Sequence, residues 1–84
     1  MYSIEFSELA EKQFKKLERA LQDRISRALE RIRVRPQDYL RKLVGDPGYR
    51  LRVGDYRVII DVQREKLLLL VIKVGHRSNV YKNP

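Results

Sequence analysis

A stretch near the middle of the chain alternates apolar and polar residues on both sides of a two-residue turn signal. It covers residues 49–62, YRLRVGDYRVIIDV, with Gly54-Asp55 as the turn. Alternation of this kind is typical of β-strands that turn one face to a core. The stretch therefore predicts a β-hairpin whose cross-strand pairs are Val53 with Tyr56, Arg52 with Arg57, Leu51 with Val58 and Arg50 with Ile59.

The two faces of this predicted hairpin differ in character. One face is apolar and is expected in the core: Tyr49, Leu51, Val53, Tyr56, Val58 and Ile60. The other carries Arg50, Arg52 and Arg57, which we call the arginine face, with the acid Asp61 some distance along it. Like charges directly opposite each other destabilise a strand pair, by about 0.2–1 kcal/mol at an exposed site. A chain that keeps them there is expected to bind an anion.

The bulk composition limits the class of protein and of partner. Eighty-four residues, 43% of them hydrophobic, fit one globular domain over residues 1–84. A formal net charge of +8 favours a polyanionic partner such as nucleic acid. No cysteine and a single histidine argue against a metal site, and we expect no cofactor. The sequence shows neither a signal-peptide pattern nor an apolar run of about 20 residues. We therefore expect a cytoplasmic protein with no membrane partner.

The first half of the chain predicts one short strand and two helices. Tyr2, Ile4 and Phe6 alternate with polar residues, and Ser7 follows them as a helix N-cap. Apolar residues then recur at helical spacing in two segments, with a break expected near residues 18–20. No residue enforces that break, so one long kinked helix stays open. Solvated helix faces are expected for Lys12, Lys15, Lys16, Arg24, Arg27 and Arg31.

The second half predicts a loop and a third strand beside the hairpin. Residues 36–48 contain two prolines and two glycines, typical of a connecting loop. The run LLLLVIKV, residues 67–74, favours a central strand buried on both faces. Pairing Val62 with Leu67 places Arg57 opposite Ile72 and brings the C-terminal segment near the arginine face. The expected α+β architecture has the order βααβββ, with an N-terminal strand and a helical hairpin packed on one face of a mostly antiparallel four-stranded sheet.

The C-terminal segment GHRSNVYKNP adds further groups that could carry chemistry. RNA cleavage without a metal needs a base, an acid and cations that stabilise the charged phosphorane. Arginines can clamp phosphate but are poor proton acceptors. Proton transfer would fall to Tyr81 or His76. The simpler alternatives are a solvated or partner-binding arginine face, a loop role for His76, and a Tyr81 that packs on the sheet.

The hairpin with its Gly-Asp-Tyr-Arg turn, followed by LLLLVIKVGHRSNVY, resembles the RelE/ParE superfamily of toxin-antitoxin toxins. The resemblance covers essentially the whole chain. It implies a compact sheet covered by helices, and a cognate antitoxin protein that wraps the toxin and blocks it. RelE-like members cleave mRNA in the ribosomal A site, whereas ParE-like members act on DNA gyrase.

Five positions of the RelE-like pattern are filled here, by Arg50, Arg52, Arg57, Arg77 and Tyr81. This match favours a metal-independent, ribosome-dependent endoribonuclease with the ribosome and its mRNA as partners. On this resemblance the candidate catalytic residues are Arg52, Arg57, Arg77 and Tyr81, and the candidate RNA- or phosphate-binding residues are Arg50, Arg52, Lys73 and His76. Well-studied members carry lysines where Arg50 and Arg52 stand, and lysine can exchange protons as arginine cannot. The alternatives are a ParE-like gyrase inhibitor and a non-catalytic RNA-binding relative.

Overall fold

The computed structural model describes residues 1–45 and 48–80, which form a five-stranded sheet with two helices on one face. The elements are β1 (Ser3–Phe6), α1 (Glu8–Lys15), α2 (Arg19–Ile32), β2 (Arg41–Lys42), β3 (Tyr49–Val53), β4 (Tyr56–Gln63) and β5 (Leu68–His76). The strand order is β1-β5-β4-β3-β2, with β1 parallel to β5 and the other neighbours antiparallel. The predicted α+β class is confirmed. The predicted count of four strands is wrong, because part of the expected loop pairs with β3 as β2.

The start of α1 follows the predicted capping chemistry. The Ser7 hydroxyl accepts a hydrogen bond from the Ala10 backbone N–H at 3.1 Å, which confirms Ser7 as the N-cap. The helix ends at Lys15, so the break lies at residues 16–18, slightly before its predicted place, and one continuous helix is excluded. The side-chain amide of Gln22 donates to the carbonyl of Phe14 at 2.9 Å. This bond from α2 satisfies a carbonyl in the last turn of α1.

The pairing of β5 with β4 differs from the predicted register. Leu67 ends a 3₁₀ turn with a left-handed φ of 50°, which takes it out of the strand, and Val62 pairs with Leu69 instead. The partners of Ile59 and Ile60 are Lys73 and Val71, which leaves Ile72 as one extra residue, a β-bulge. Together these two irregularities place Arg57 opposite Gly75 rather than opposite Ile72.

Beyond the end of β1, side chains of α1 and of its N-cap form hydrogen bonds with the backbone of β5. β1 ends at Phe6, opposite Val71, so the neighbouring edge of β5 is open beyond that pair. There the Ser7 hydroxyl donates to the carbonyl of Ile72 at 3.2 Å, and Gln13 Oε1 accepts from the N–H of Val74 at 2.7 Å. These bonds pair backbone groups around the bulge, as buried backbone requires. α1 thereby fixes the course of β5 toward its C-terminal end.

The core lies between the helices and one face of the sheet. Its fully buried members include Ile25 and Ile32 from α2 and Val58, Ile60, Leu69 and Val71 from the sheet. Leu68 and Leu70, on the opposite face of β5, are only half-buried, so the prediction of a strand buried on both faces is wrong. Two helices cover one face, and the other face stays open. Neither α1 nor α2 has the length and apolar character needed to cross a bilayer.

Candidate functional site

The hairpin register places the arginine face on the side of the sheet that the helices leave open. All four predicted cross-strand pairs are confirmed, including Arg52 with Arg57. An open concavity of about 560 Å³ lies over this face, and no acid lines it among the described residues. Its lining residues are Tyr39, Arg41, Arg50, Arg52 and Arg57.

Two pairs of arginines lie directly opposite each other in this concavity. β2 places Arg41 opposite Arg50, and the hairpin places Arg52 opposite Arg57. Each like-charge pair opposes folding, by about 0.2–1 kcal/mol. Four guanidinium groups on one open surface, with no acidic group among the residues that line it, can hold an anion such as phosphate.

Arg57 is held in place by the turn of its own hairpin. Its Nη1 donates to the carbonyl of Gly54 at 3.0 Å and to the carbonyl of Tyr56 at 2.9 Å. Arginine has five N–H donors, so Nε and Nη2 are left for a ligand. Gly54 has a φ of 59°, a conformation that glycine adopts without strain and that a two-residue hairpin turn requires.

The segment after β5 folds back against the same hairpin turn. The N–H of Arg77 donates to the carbonyl of Asp55 at 2.8 Å, and the N–H of Val80 to the carbonyl of His76 at 2.9 Å. Val80 is buried and packs against Gly75, which lies opposite Arg57. This turn therefore ends on the side of the arginine face. Tyr81, the next predicted site residue, lies outside the described residues.

Lys73 and His76, both predicted to bind RNA, lie on opposite faces of the sheet. Lys73 is paired with Ile59, which is paired with Arg50, so Lys73 shares the arginine face and is half-buried there. His76 is paired with Tyr56 and falls on the helix-covered side, because successive strand residues alternate. The structure thus does not bring His76 to the arginine face.

The surroundings of His76 are those of a turn. Its ring lies edge-on to that of Tyr56, with 5.5 Å between the centroids. Its Nδ1 lies 2.8 Å from the Ser78 hydroxyl and accepts from the N–H of Ser78 at 3.2 Å. These contacts fix the ring against the C-terminal turn, in keeping with the local role considered as the alternative for this residue.

Sequence reasoning missed Tyr39 and Arg41, which the structure adds to the concavity. Tyr39 precedes β2 and Arg41 lies in it, and both belong to the stretch that was predicted to be a loop. The signal for them was weak, since a two-residue strand is too short to show a period of two. The apolar residues Leu40, Leu43 and Val44 indicated that this stretch packs on the core; the structure buries Leu40 and leaves Val44 exposed.

The arrangement of the site suits it chemically to phosphate binding. Several guanidinium groups can hold a phosphodiester and stabilise the extra negative charge of a pentacoordinate phosphorane. They do not move protons. Within residues 1–45 and 48–80, no three His, Asp or Glu side chains are grouped so that they could hold a metal ion.

Comparison with known proteins assigns the chain to a family of toxins. The family described as the ParE toxin of the type II toxin-antitoxin system parDE matches residues 4–81. A curated relative, the mRNA interferase toxin RelE of Escherichia coli K12, is 33% identical over 85 residues, covering 95% of this chain and 90% of the relative. The chain therefore belongs to the RelE/ParE superfamily of type II toxin-antitoxin toxins.

Solved structures agree with this membership. In the crystal structure of the intact E. coli RelBE toxin-antitoxin complex, the matching chain has a TM-score of 0.78 at 31% identity, with 90% of this chain and 96% of that chain covered. The RelBE2 complex from Mycobacterium tuberculosis matches with a TM-score of 0.82 at 20% identity, covering 90% and 98%, and supports the fold.

Proposed function

We propose that this protein is the toxin of a type II toxin-antitoxin system and a metal-independent endoribonuclease that cleaves mRNA in the ribosomal A site. The observation that carries the proposal is the open concavity in which Arg41, Arg50, Arg52 and Arg57 meet with no acid among the described residues that line it. The name of the E. coli relative, mRNA interferase toxin, supports this reaction. Cleavage of mRNA in the A site would inhibit translation.

The roles proposed for the arginines and Lys73 use their places around the concavity, and the role proposed for Tyr81 rests on the family resemblance. Arg52 and Arg57, directly opposite each other, would hold the scissile phosphate together with Arg77 from the adjoining turn. Arg50 and Lys73, farther along the same face, would bind the neighbouring RNA backbone. Tyr81 would transfer a proton or stack on a base. His76, on the other side of the sheet, is given no part in holding the RNA.

Solved relatives support an antitoxin as one partner of this toxin. Those relatives include toxin-antitoxin complexes from E. coli, M. tuberculosis and Pyrococcus horikoshii. A cognate antitoxin protein is accordingly proposed to bind and block this chain, and the ribosome with its mRNA to be its target. This activity belongs in the cytoplasm, and residues 1–84 would form one toxin domain.

A ParE-like inhibitor of DNA gyrase is the second candidate function. The description of the matching family, which names ParE and parDE, favours it. Such an inhibitor binds a protein and has no need for a concavity that gathers four guanidinium groups. The two functions differ in their target, so assays on ribosomes and on gyrase distinguish them.

The first test incubates the purified protein with translating ribosomes and a defined mRNA and maps cuts by primer extension. We expect cuts in phase with codons, and only with ribosomes present. Arg77→Ala should slow cleavage by about 10²–10³-fold, the effect of removing one group that stabilises transition-state charge.

Arg19→Ala is the matched control for this test, since Arg19 is an exposed arginine on α2 that faces Asp23 at 3.9 Å. It should cleave like the wild type. Absence of cuts, together with inhibition of gyrase-catalysed supercoiling, would replace the nuclease with the ParE-like function. Equal cleavage by Arg77→Ala and the wild type would remove Arg77 from the site.

A further inference from the structure

A second cationic concavity, of about 280 Å³, lies between α2 and the hairpin. Its charged lining consists of Arg24, Arg27 and Arg31 from α2 and Arg52 from β3. The three helix arginines are spaced i, i+3 and i+7, so they form one stripe along α2, which we call the α2 stripe. All three are exposed. The proposed cleavage site uses none of them.

Arg24, the first arginine of the α2 stripe, lies close to the hairpin turn at Gly54. A Cβ added to Gly54 would lie 3.2 Å from one terminal nitrogen of Arg24 and 3.3 Å from the other. The missing side chain at this position therefore lets the guanidinium lie close against the turn. The α2 stripe and the hairpin are parts of one surface.

The α2 stripe also differs from the other charged residues of the helices in that they form ion pairs. Lys12 pairs with Glu8 at 3.5 Å, and Lys15 with Glu11 at 2.9 Å. The Lys15 ammonium lowers the pKa of the Glu11 carboxyl through a hydrogen bond and its charge. Within the described part of the chain, by contrast, no ion pair is formed by the three arginines of the α2 stripe.

Arg52 joins the α2 stripe to the arginine face. It lines both concavities, because β2 pairs only with Tyr49 and Arg50 and leaves the edge of β3 open at Arg52. The cationic surface thus continues from the open face of the sheet, around its edge, to α2. An RNA strand in the arginine face would have a second phosphate-binding surface directly beside it.

We propose that the α2 stripe binds the phosphodiester backbone of ribosomal RNA, separately from the mRNA held at the arginine face. Seven helical residues rise about 10 Å, which matches about three nucleotide steps of 3.4 Å along a duplex strand. A protein partner would be expected to use apolar anchors. The lining offers only Ala28 and Val53, of which Val53 is buried in the core.

The inference rests on the proposed function only where it names the ribosome as the source of the RNA. Phosphate binding by the α2 stripe requires no cleavage. Because backbone contacts carry no sequence information, the binding should depend on salt and not on base sequence.

The test measures equilibrium binding of the labelled toxin to vacant ribosomes, without mRNA, between about 50 and 200 mM salt. The variant is Arg24→Ala/Arg27→Ala/Arg31→Ala, which should fold because alanine is the strongest helix former. Each lost phosphate contact lowers the log–log salt slope by about 0.7–0.9. We therefore expect the slope to fall by about 2 to 3 and the loss of affinity over this range to become roughly 20–40-fold smaller.

The control variant, Lys12→Ala/Lys15→Ala/Lys16→Ala, removes the same charge from α1 and its C-cap, and α1 packs on β5 and β1, away from this surface. It should keep the wild-type slope. An equal slope for the α2 variant and the wild type would overturn the inference. So would a loss of antitoxin affinity with ribosome binding intact, since the surface would then bind protein.

The two proposals fail separately. A wild-type protein that binds vacant ribosomes through the α2 stripe but does not cut mRNA would overturn the nuclease and leave the inference standing. A protein that cuts mRNA in phase with codons, while its α2 variant binds ribosomes with the wild-type salt slope, would do the reverse.

Discussion

The positive charge of Arg52 is expected to lower the stability of the fold and to favour the proposed function. It lies directly opposite Arg57, and it lines both cationic concavities. A positive charge there repels its neighbour and at the same time attracts phosphate. No other described residue shares both concavities, so Arg52 is the position at which the two effects can be measured together.

Arg52→Thr should accordingly stabilise the fold and weaken cleavage. Removing one like-charge pair and introducing a residue that favours strands should raise the free energy of unfolding by about 0.2–1 kcal/mol. Cleavage on ribosomes should fall by about 10²-fold, as one phosphate clamp is lost. Urea denaturation and primer extension measure the two effects. Arg52→Lys, which keeps the charge, is the control and should leave stability unchanged. A less stable Arg52→Thr protein would contradict the assigned repulsion.

Ser7 shows how one element of the fold depends on its neighbour. Its hydroxyl caps α1 and also bonds to the carbonyl of Ile72 in the bulge of β5. Ser7→Ala should therefore destabilise the protein by about 1–2 kcal/mol, the sum of a lost N-cap and a half-buried hydrogen bond. Ser7→Thr keeps the hydroxyl and should lose much less. If Ser7→Ala unfolds at the wild-type urea midpoint, neither bond contributes to stability.

Strong local patterns allowed the hairpin and the helices to be predicted from sequence. Alternation around Gly54-Asp55 predicted four of the five cross-strand pairs of β3 with β4, and with them the arginine face. The Ser7 cap and the apolar spacing on α2 were equally local signals. Where the pattern was clear, tertiary contacts did not have to be known.

The parts that sequence could not supply depend on contacts between distant residues. The register of β5 follows from the left-handed Leu67 and the bulge at Ile72, and the bulge is stabilised by Ser7 and Gln13 from α1. A continuous apolar run contains no mark of a one-residue insertion. β2 is too short to have a pattern of its own. The error in β5 also led to His76 being grouped with the arginine face.

At the scale of the whole molecule, seven arginines among the described residues line one surface, which runs from the arginine face to α2. α1 carries ion pairs on its exposed side, whereas this surface has the like-charge pairs Arg41 with Arg50 and Arg52 with Arg57, beside the α2 stripe. A net charge of +8 adds to the repulsion. Ions in solution screen such repulsion within a Debye length of about 10 Å at 0.1 M.

Salt should therefore act on folding and on RNA binding in opposite directions. Raising KCl from about 50 to 200 mM should raise the Tm of the free protein, by about 4–8 °C for each 1 kcal/mol of repulsion removed, while ribosome affinity falls over the same range. Differential scanning calorimetry measures the first effect. The Arg24→Ala/Arg27→Ala/Arg31→Ala variant has less repulsion to screen, so its Tm should start higher and rise less. A wild-type Tm that falls with salt would show that ion pairs, such as Lys15 with Glu11, outweigh the repulsion between arginines.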